Sequence, residues 1–241
     1  MEGANPTEEF DPSGRNSLVD LLAFLRNRGS ALLVVGNVPT TVHHDVSRQM
    51  LGSDEADIRR RVLALTAGDP GAVTDRLPAA PTTSPSNGTT VISYQSPTRG
   101  SAMADANVAS GSSVIHVEES SLGAFLAAIN REVDRYERTD AENPMAFRFC
   151  LESLSTLLSE HDQQSVFRFL HLVIARIRSI RAIGHVHLKT DPDAEHAKFV
   201  EPLFDAVVEL GLDDRGRPQQ RWHLTDHDVT SRWLLVNRPE P

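Results

Sequence analysis

The stretch from Asn143 to Lys189 constrains this chain more tightly than any other. After Asn143-Pro144, residues Ala146–Leu151 form an apolar run of strand length, closed at once by the carboxylate of Glu152. A short helix is expected through Leu158, and Asp162 is placed to cap a longer one. In that longer helix Val166, Phe169, Leu170, Val173, Ile174 and Ile177 recur at helical spacing and share one face. Ala182–Leu188 then reads as another buried strand. Strand, helix, helix, strand calls for parallel strands joined across one face of a sheet.

The same alternation runs through the rest of the chain. Ser17 heads a helix in which Leu18, Leu21, Leu22 and Leu25 align before Gly29 ends it. Ala31–Val35 reads as a buried strand, Gly36 to Thr41 as a loop and His43 to about Leu51 as a helix. Arg61–Thr66, Thr89–Tyr94 and Ser113–Val117 are further strands. A capped helix follows Ser120 or Ser121, with Leu122, Phe125, Leu126, Ile129, Val133 and Tyr136 as its stripe. Thr139–Pro144 reads as a turn. A helix around Asp193–Leu203 precedes a hairpin of Ala206–Leu212 and Gln219–Leu224, joined through Asp213 to Arg217, and Trp233–Val236 is a last short strand.

The expected fold class is therefore α/β: a mainly parallel sheet flanked by helices, with antiparallel strands at the C-terminus. Residues 1–16 read as a disordered tail and 17–236 as a single domain. Segments 67–87 and 96–112, rich in small and polar residues, are expected to be mobile loops.

Composition narrows the function classes. The net charge of −9, with 33 acidic against 24 basic residues, argues against general nucleic-acid binding. Only Lys189 and Lys198 are lysines; arginines make up the remaining 22 basic residues. That bias fits either a high-salt environment or a genome rich in G and C. Cys150 is the single cysteine, which excludes an internal disulfide and fits a reducing cytoplasm. The first residues carry no apolar run of signal-peptide type, and no segment approaches the roughly 20 apolar residues of a spanning helix.

A strand, a glycine-containing loop and a helix form the usual setting of a phosphate cradle, because helix N-termini present unpaired N–H groups and partial positive charge. The working pattern is G-x-x-x-x-G-K-[ST]. Here Gly36 fills the first position, but Thr41, Val42 and His43 occupy the next glycine, lysine and hydroxyl positions. Val42 brings no cation, Pro39 removes an N–H donor, and His43 is a poor substitute for a hydroxyl on Mg²⁺. Glu152 stands where a strand-end carboxylate would hold Mg²⁺, followed by Ser153.

ALLVVGNVPTTVHH, FRFCLESLSTLL and VVELGLDDRGRPQQRWHL resemble the KaiC/RadA branch of the RecA superfamily. The resemblance is closest to short haloarchaeal KaiC-like proteins with degenerate nucleotide motifs. It implies a RecA/KaiC-like core, with Gly36, Asn37, Thr40, Thr41, Glu152 and Ser153 as a vestigial nucleotide-binding site. It carries no catalysis over, since the lysine and second glycine are missing. The expected function is a catalytically inactive cytoplasmic module for regulation or protein interaction, with no cofactor, a protein partner, and possible homo-oligomers. Nucleic acid and membrane are not expected partners. The alternative is an atypical ATP-binding protein or ATPase, with ATP and Mg²⁺ as ligands of a degenerate loop.

Histidines offer a secondary candidate. His185 and His187 alternate on one strand and face the same side, with Asp191, Asp193 and His196 close behind. Two histidines and a carboxylate suit a transition metal, although buried strand histidines also serve as hydrogen-bonded core residues. His43 and His44 are adjacent and diverge on a helix, which weakens them as a pair. Cys150 reads as a core residue. Arg168, Arg176, Arg178 and Arg181 edge the long helix, and are read as a solvated face with local ion pairs.

Overall fold

The computed structural model describes Leu25 and residues 27–52, 60–66, 88–94, 112–117, 121–140, 147–225 and 229–236. The elements are β1 (Ser30–Val35), α1 (Thr40–Met50), β2 (Arg60–Leu65), β3 (Gly88–Tyr94), β4 (Ser112–Val117), α2 (Leu122–Asp140) and β5 (Phe147–Glu152). They continue with α3 (Leu154–Glu160), α4 (Gln163–Ser179), β6 (Ile183–Leu188) and α5 (Glu195–Val200), which runs into a 3-10 turn at Glu201–Leu203. The last four strands are β7 (Ala206–Leu212), β8 (Pro218–Leu224), β9 (Val229–Thr230) and β10 (Leu234–Leu235).

One mixed sheet takes the order β10-β8-β7-β1-β6-β5-β2-β3-β4, with β9 on β8. From β7 to β4 every neighbouring pair is parallel; β8 runs antiparallel to β7, and β9 and β10 antiparallel to β8. Burial follows from this layout. Every residue of β1 and β5 is buried, as expected for parallel strands covered on both faces, whereas β8 is largely half-exposed.

Helices cover the two faces unequally. α2, α4 and α5 pack over one face, where Phe125, Ile129, Phe169, Val173 and Val200 meet Leu33, Val62, Phe149 and Val186. α1 covers the other face, with Val42 and Val46 against Leu32, Val34 and Val208. The caps are local: Ser121 Oγ accepts the Ala124 N–H at 3.1 Å, and Asp162 Oδ1 accepts the Ser165 N–H at 2.9 Å. Arg176 of α4 bridges to Asp134 and Glu137 of α2. Arg178 joins Arg28 on the buried carboxylate of Asp205, which also accepts the Ala31 N–H at 2.8 Å. Arg176 and Arg178 thus hold elements together and Arg168 is exposed, while Arg181, also exposed, lies beyond the helix end at Ser179 with a φ of 54° rather than on its edge. In the β7–β8 hairpin Gly216 takes a φ of 73°, a conformation costly to residues with a Cβ.

Several boundaries differ from the sequence reading. α1 begins at Thr40 rather than His43, because the Val42 N–H already bonds the Pro39 carbonyl at 2.9 Å. Thr139 belongs to α2, and its hydroxyl donates back to the Arg135 carbonyl at 3.0 Å. Ser112 belongs to β4, paired with Thr89. β9 has only two residues, too short for a periodic signal. The tail 1–16, the leucines 18, 21 and 22 of the first helix, residues 67–87 and 96–111, and the turn residues 141–144 lie outside the described residues.

Candidate functional site

Parallel pairing brings the carboxyl ends of β1, β6 and β5 side by side. The chain leaves β1 toward α1 on one face and leaves β6 toward α5 on the other. Adjacent strands whose connections diverge in this way open a crevice beyond their carboxyl ends, the usual ligand position in α/β sheets. The residues singled out in the sequence as a vestigial nucleotide site, Gly36, Asn37, Thr40, Thr41, Glu152 and Ser153, lie along this edge.

Gly36 has a structural reason to be glycine. A Cβ there would lie 2.6 Å from the Leu210 carbonyl oxygen of β7. Asn37, Thr40 and Thr41 are exposed, and α1 has no side-chain cap. Val42, at the position of the missing lysine, points into the apolar cluster below α1. His43, at the hydroxyl position, is buried and turned toward the sheet. Its Nε2 lies 3.0 Å from the Gly36 carbonyl and its Nδ1 lies 3.0 Å from His187 Nδ1. The side chains that would face phosphate are thus committed to the core.

At the end of β5, Glu152 is buried and its Oε1 accepts Lys189 Nζ at 2.8 Å. Thr66 secures the adjoining backbone. Its N–H donates to the Glu152 carbonyl at 2.6 Å, its hydroxyl donates to the Ser153 carbonyl at 2.6 Å, and its Oγ1 accepts the Ser153 N–H at 2.7 Å. The Glu152–Ser153 peptide is cis. Further along the same edge, the Tyr94 hydroxyl at the end of β3 pairs with His161 Nε2 at 2.8 Å. Burial, and then the nearby Glu160 carboxylate, push its pKa above the usual phenol value.

Beneath the edge lies a group the sequence reading saw only in part. Cys150 of β5 is the register partner of His185 on β6, and His187 follows on the same side. One ligating atom from each of these three residues lies within 4.8 Å of the other two. Ser47 of α1 sits over them, with its Oγ 3.3 Å from both Cys150 Sγ and His185 Nε2.

The carboxylates and histidine expected to complete the His185/His187 pair are elsewhere. Asp193 pairs with Lys198 at 2.9 Å, His196 bonds Gln163 at 2.9 Å, and the Asp191 carboxylate accepts the Asp193 N–H. All three are exposed, because the chain turns outward after β6. Reasoning from the sequence underrated His43, Ser47, Cys150 and Lys189. His43 and Ser47, four residues apart on α1, were the one local signal that this helix faces the sheet with polar atoms.

The fold and site define an α/β protein whose parallel strands end in a crevice, with a short connection at Gly36 leading from β1 into α1. A model of a family of unknown function (DUF7504) matches residues 29–210, more than half of the chain, and the protein belongs to that family. No curated protein matches it. Among the described residues no helix is long and apolar enough to cross a membrane.

Proposed function

We propose that this protein is a catalytically inactive RecA/KaiC-like module that acts in regulation or protein interaction. The observation that carries the reading is the inward commitment of α1's first turns. Val42 is core, and His43 spends both ring nitrogens on Gly36 and His187. With the side chains at the lysine and hydroxyl positions used internally, the connection fits a phosphate loop that has lost its ligand. The strand order supports the same reading, since β6 separates β1 from the carboxylate-bearing β5. An interaction role is supported at the antiparallel end, where Leu212, Trp233 and Leu235 are large apolar side chains with substantial exposure.

One observation favours the alternative of an atypical nucleotide binder. Lys189, one of two lysines in the chain, stands at the crevice beside Glu152 and offers the cation that Val42 does not. The deciding experiment is a melting scan in molar KCl with and without ATP and Mg²⁺, together with a hydrolysis assay. A ligand at 100 times its Kd stabilises by about 2.7 kcal/mol. The proposal expects no shift and no hydrolysis. A clear shift lost in Lys189→Ala, or Mg²⁺-dependent hydrolysis lost in Glu152→Ala, would overturn it in favour of the alternative.

A further inference from the structure

Along β6 the side chains divide by parity. Val186 and Leu188 enter the large apolar core, while His185 and His187 face α1. Cys150 comes alongside from β5, and all three ligating side chains are completely buried, at 0% exposure. A thiol and imidazoles are the donor set that selects borderline-soft divalent metals, above all Zn²⁺.

The hydrogen bonds behind His187 supply an independent argument. The Gly36 carbonyl can only accept, so His43 Nε2 carries a proton and donates to it. Neutral His43 then has an unprotonated Nδ1, which accepts from His187 Nδ1–H across 3.0 Å. This leaves His187 Nε2 unprotonated and able to ligate a metal. A metal-bound histidine whose other nitrogen donates to a fixed acceptor is the usual outer support of such sites. Here the chain runs from His187 through His43 to a backbone carbonyl.

We propose that Cys150, His185 and His187 form a buried binding site for a divalent metal of the zinc class, with His43 as a positioning residue. The site goes beyond the functional reading above and stands whether or not nucleotide binds. Ligand atoms around tetrahedral zinc lie about 3.5 Å apart, given bonds of about 2.3 Å to sulfur and 2.1 Å to nitrogen. The separations of up to 4.8 Å close to that value by rotation of side chains already on one side of the sheet. Binding releases the Cys150 thiol proton and uses neutral imidazoles. Three protein ligands leave one tetrahedral position, on the side covered by Ser47 Oγ. His43, which cannot replace a loop hydroxyl on Mg²⁺, thereby has a different task one layer down.

The test uses the full chain, reduced and stripped with chelator, titrated with Co²⁺ as a spectroscopic stand-in for Zn²⁺. The expected result is saturation at a single site, with tetrahedral d–d bands and a thiolate-to-cobalt charge-transfer band, both erased by added Zn²⁺. Cys150→Ser should lose the charge-transfer band, and Zn²⁺ should raise the melting temperature of the wild type but not of this variant. His43→Phe should keep the band with metal affinity reduced about 10–100-fold. Absence of the band in the wild-type chain overturns the proposal without reference to any variant. So does its persistence in Cys150→Ser, which would place the thiolate outside the site, or an unchanged affinity in His43→Phe, which would remove the positioning role.

Discussion

The two faces of the sheet are built on different terms. Beneath α2, α4 and α5 the core is one continuous apolar body, from Tyr136 and Phe147 at one end to Val200 and Phe204 at the other. Beneath α1 the apolar contacts split into two smaller clusters. One centres on Leu32, Val34, Val42 and Val46, and the other on Leu63, Leu65, Val91 and Cys150. β6 lies between them and fills the gap with His185 and His187, while α1 adds His43, His44 and Ser47, all buried. Burying polar side chains has a cost that apolar packing does not. The comparison teaches that the α2/α4 face is packed for stability, and that the α1 face has exchanged part of its apolar packing for buried polar side chains.

The sharpest way to break that contrast is a charge on the stable face. Leu170→Asp buries a carboxylate among aliphatic and aromatic neighbours, and the expected loss exceeds about 4 kcal/mol. Circular dichroism should show no cooperative melt. Normal melting would mean that α4 presents a different face to the sheet. A smaller effect is expected on the other face. His185→Leu takes a hydrogen-bond partner from buried Ser47 and fills the space with methyls, so metal-free stability should fall by about 1–3 kcal/mol. The same substitution should abolish the Zn²⁺-dependent rise in melting temperature. A large metal-free loss would show that the α1 face is as tightly packed as its opposite.

The smallest effect concerns the cap of α4 and depends on pH. Hydrogen bonds from the Ser165 side chain and backbone hold the Asp162 carboxyl below the ordinary carboxylate value. A pKa lowered by folding contributes stability above the unfolded-state value, and that contribution is lost as pH falls through the folded-state value. Asp162→Ala should therefore melt below wild type near neutral pH, and the gap should close on acidification. Thermal melts across the acid range check this; a gap independent of pH would assign the effect to helix propensity instead.

Much of the fold was legible in the residues. The period of the apolar positions in α4 located its buried face, and Asp162 and Ser121 marked two helix starts by their capping oxygens. The hairpin after Leu212 was written in the Asp213–Arg217 segment, where the Asp213 carboxylate accepts the Arg217 N–H at 2.8 Å. The departure of Thr41, Val42 and His43 from the G-x-x-x-x-G-K-[ST] pattern was equally plain. What the local pattern missed was short or extended by a turn: β9, and the ends of α1 and α2. Two or three residues carry too little periodicity to decide such cases.

Sequence by itself determined which segments are strands and helices and which residues are apolar enough to be covered. Only the tertiary structure decided what His43, Cys150, His185 and His187 meet. Their proximity depends on parallel pairing of β5 with β6 in the register that sets Cys150 beside His185, and on α1 lying across that pair. Register and helix placement follow from the summed packing of both faces, so no local run of residues contains them. The same packing turned Asp191, Asp193 and His196 outward, away from the histidines they follow in the chain.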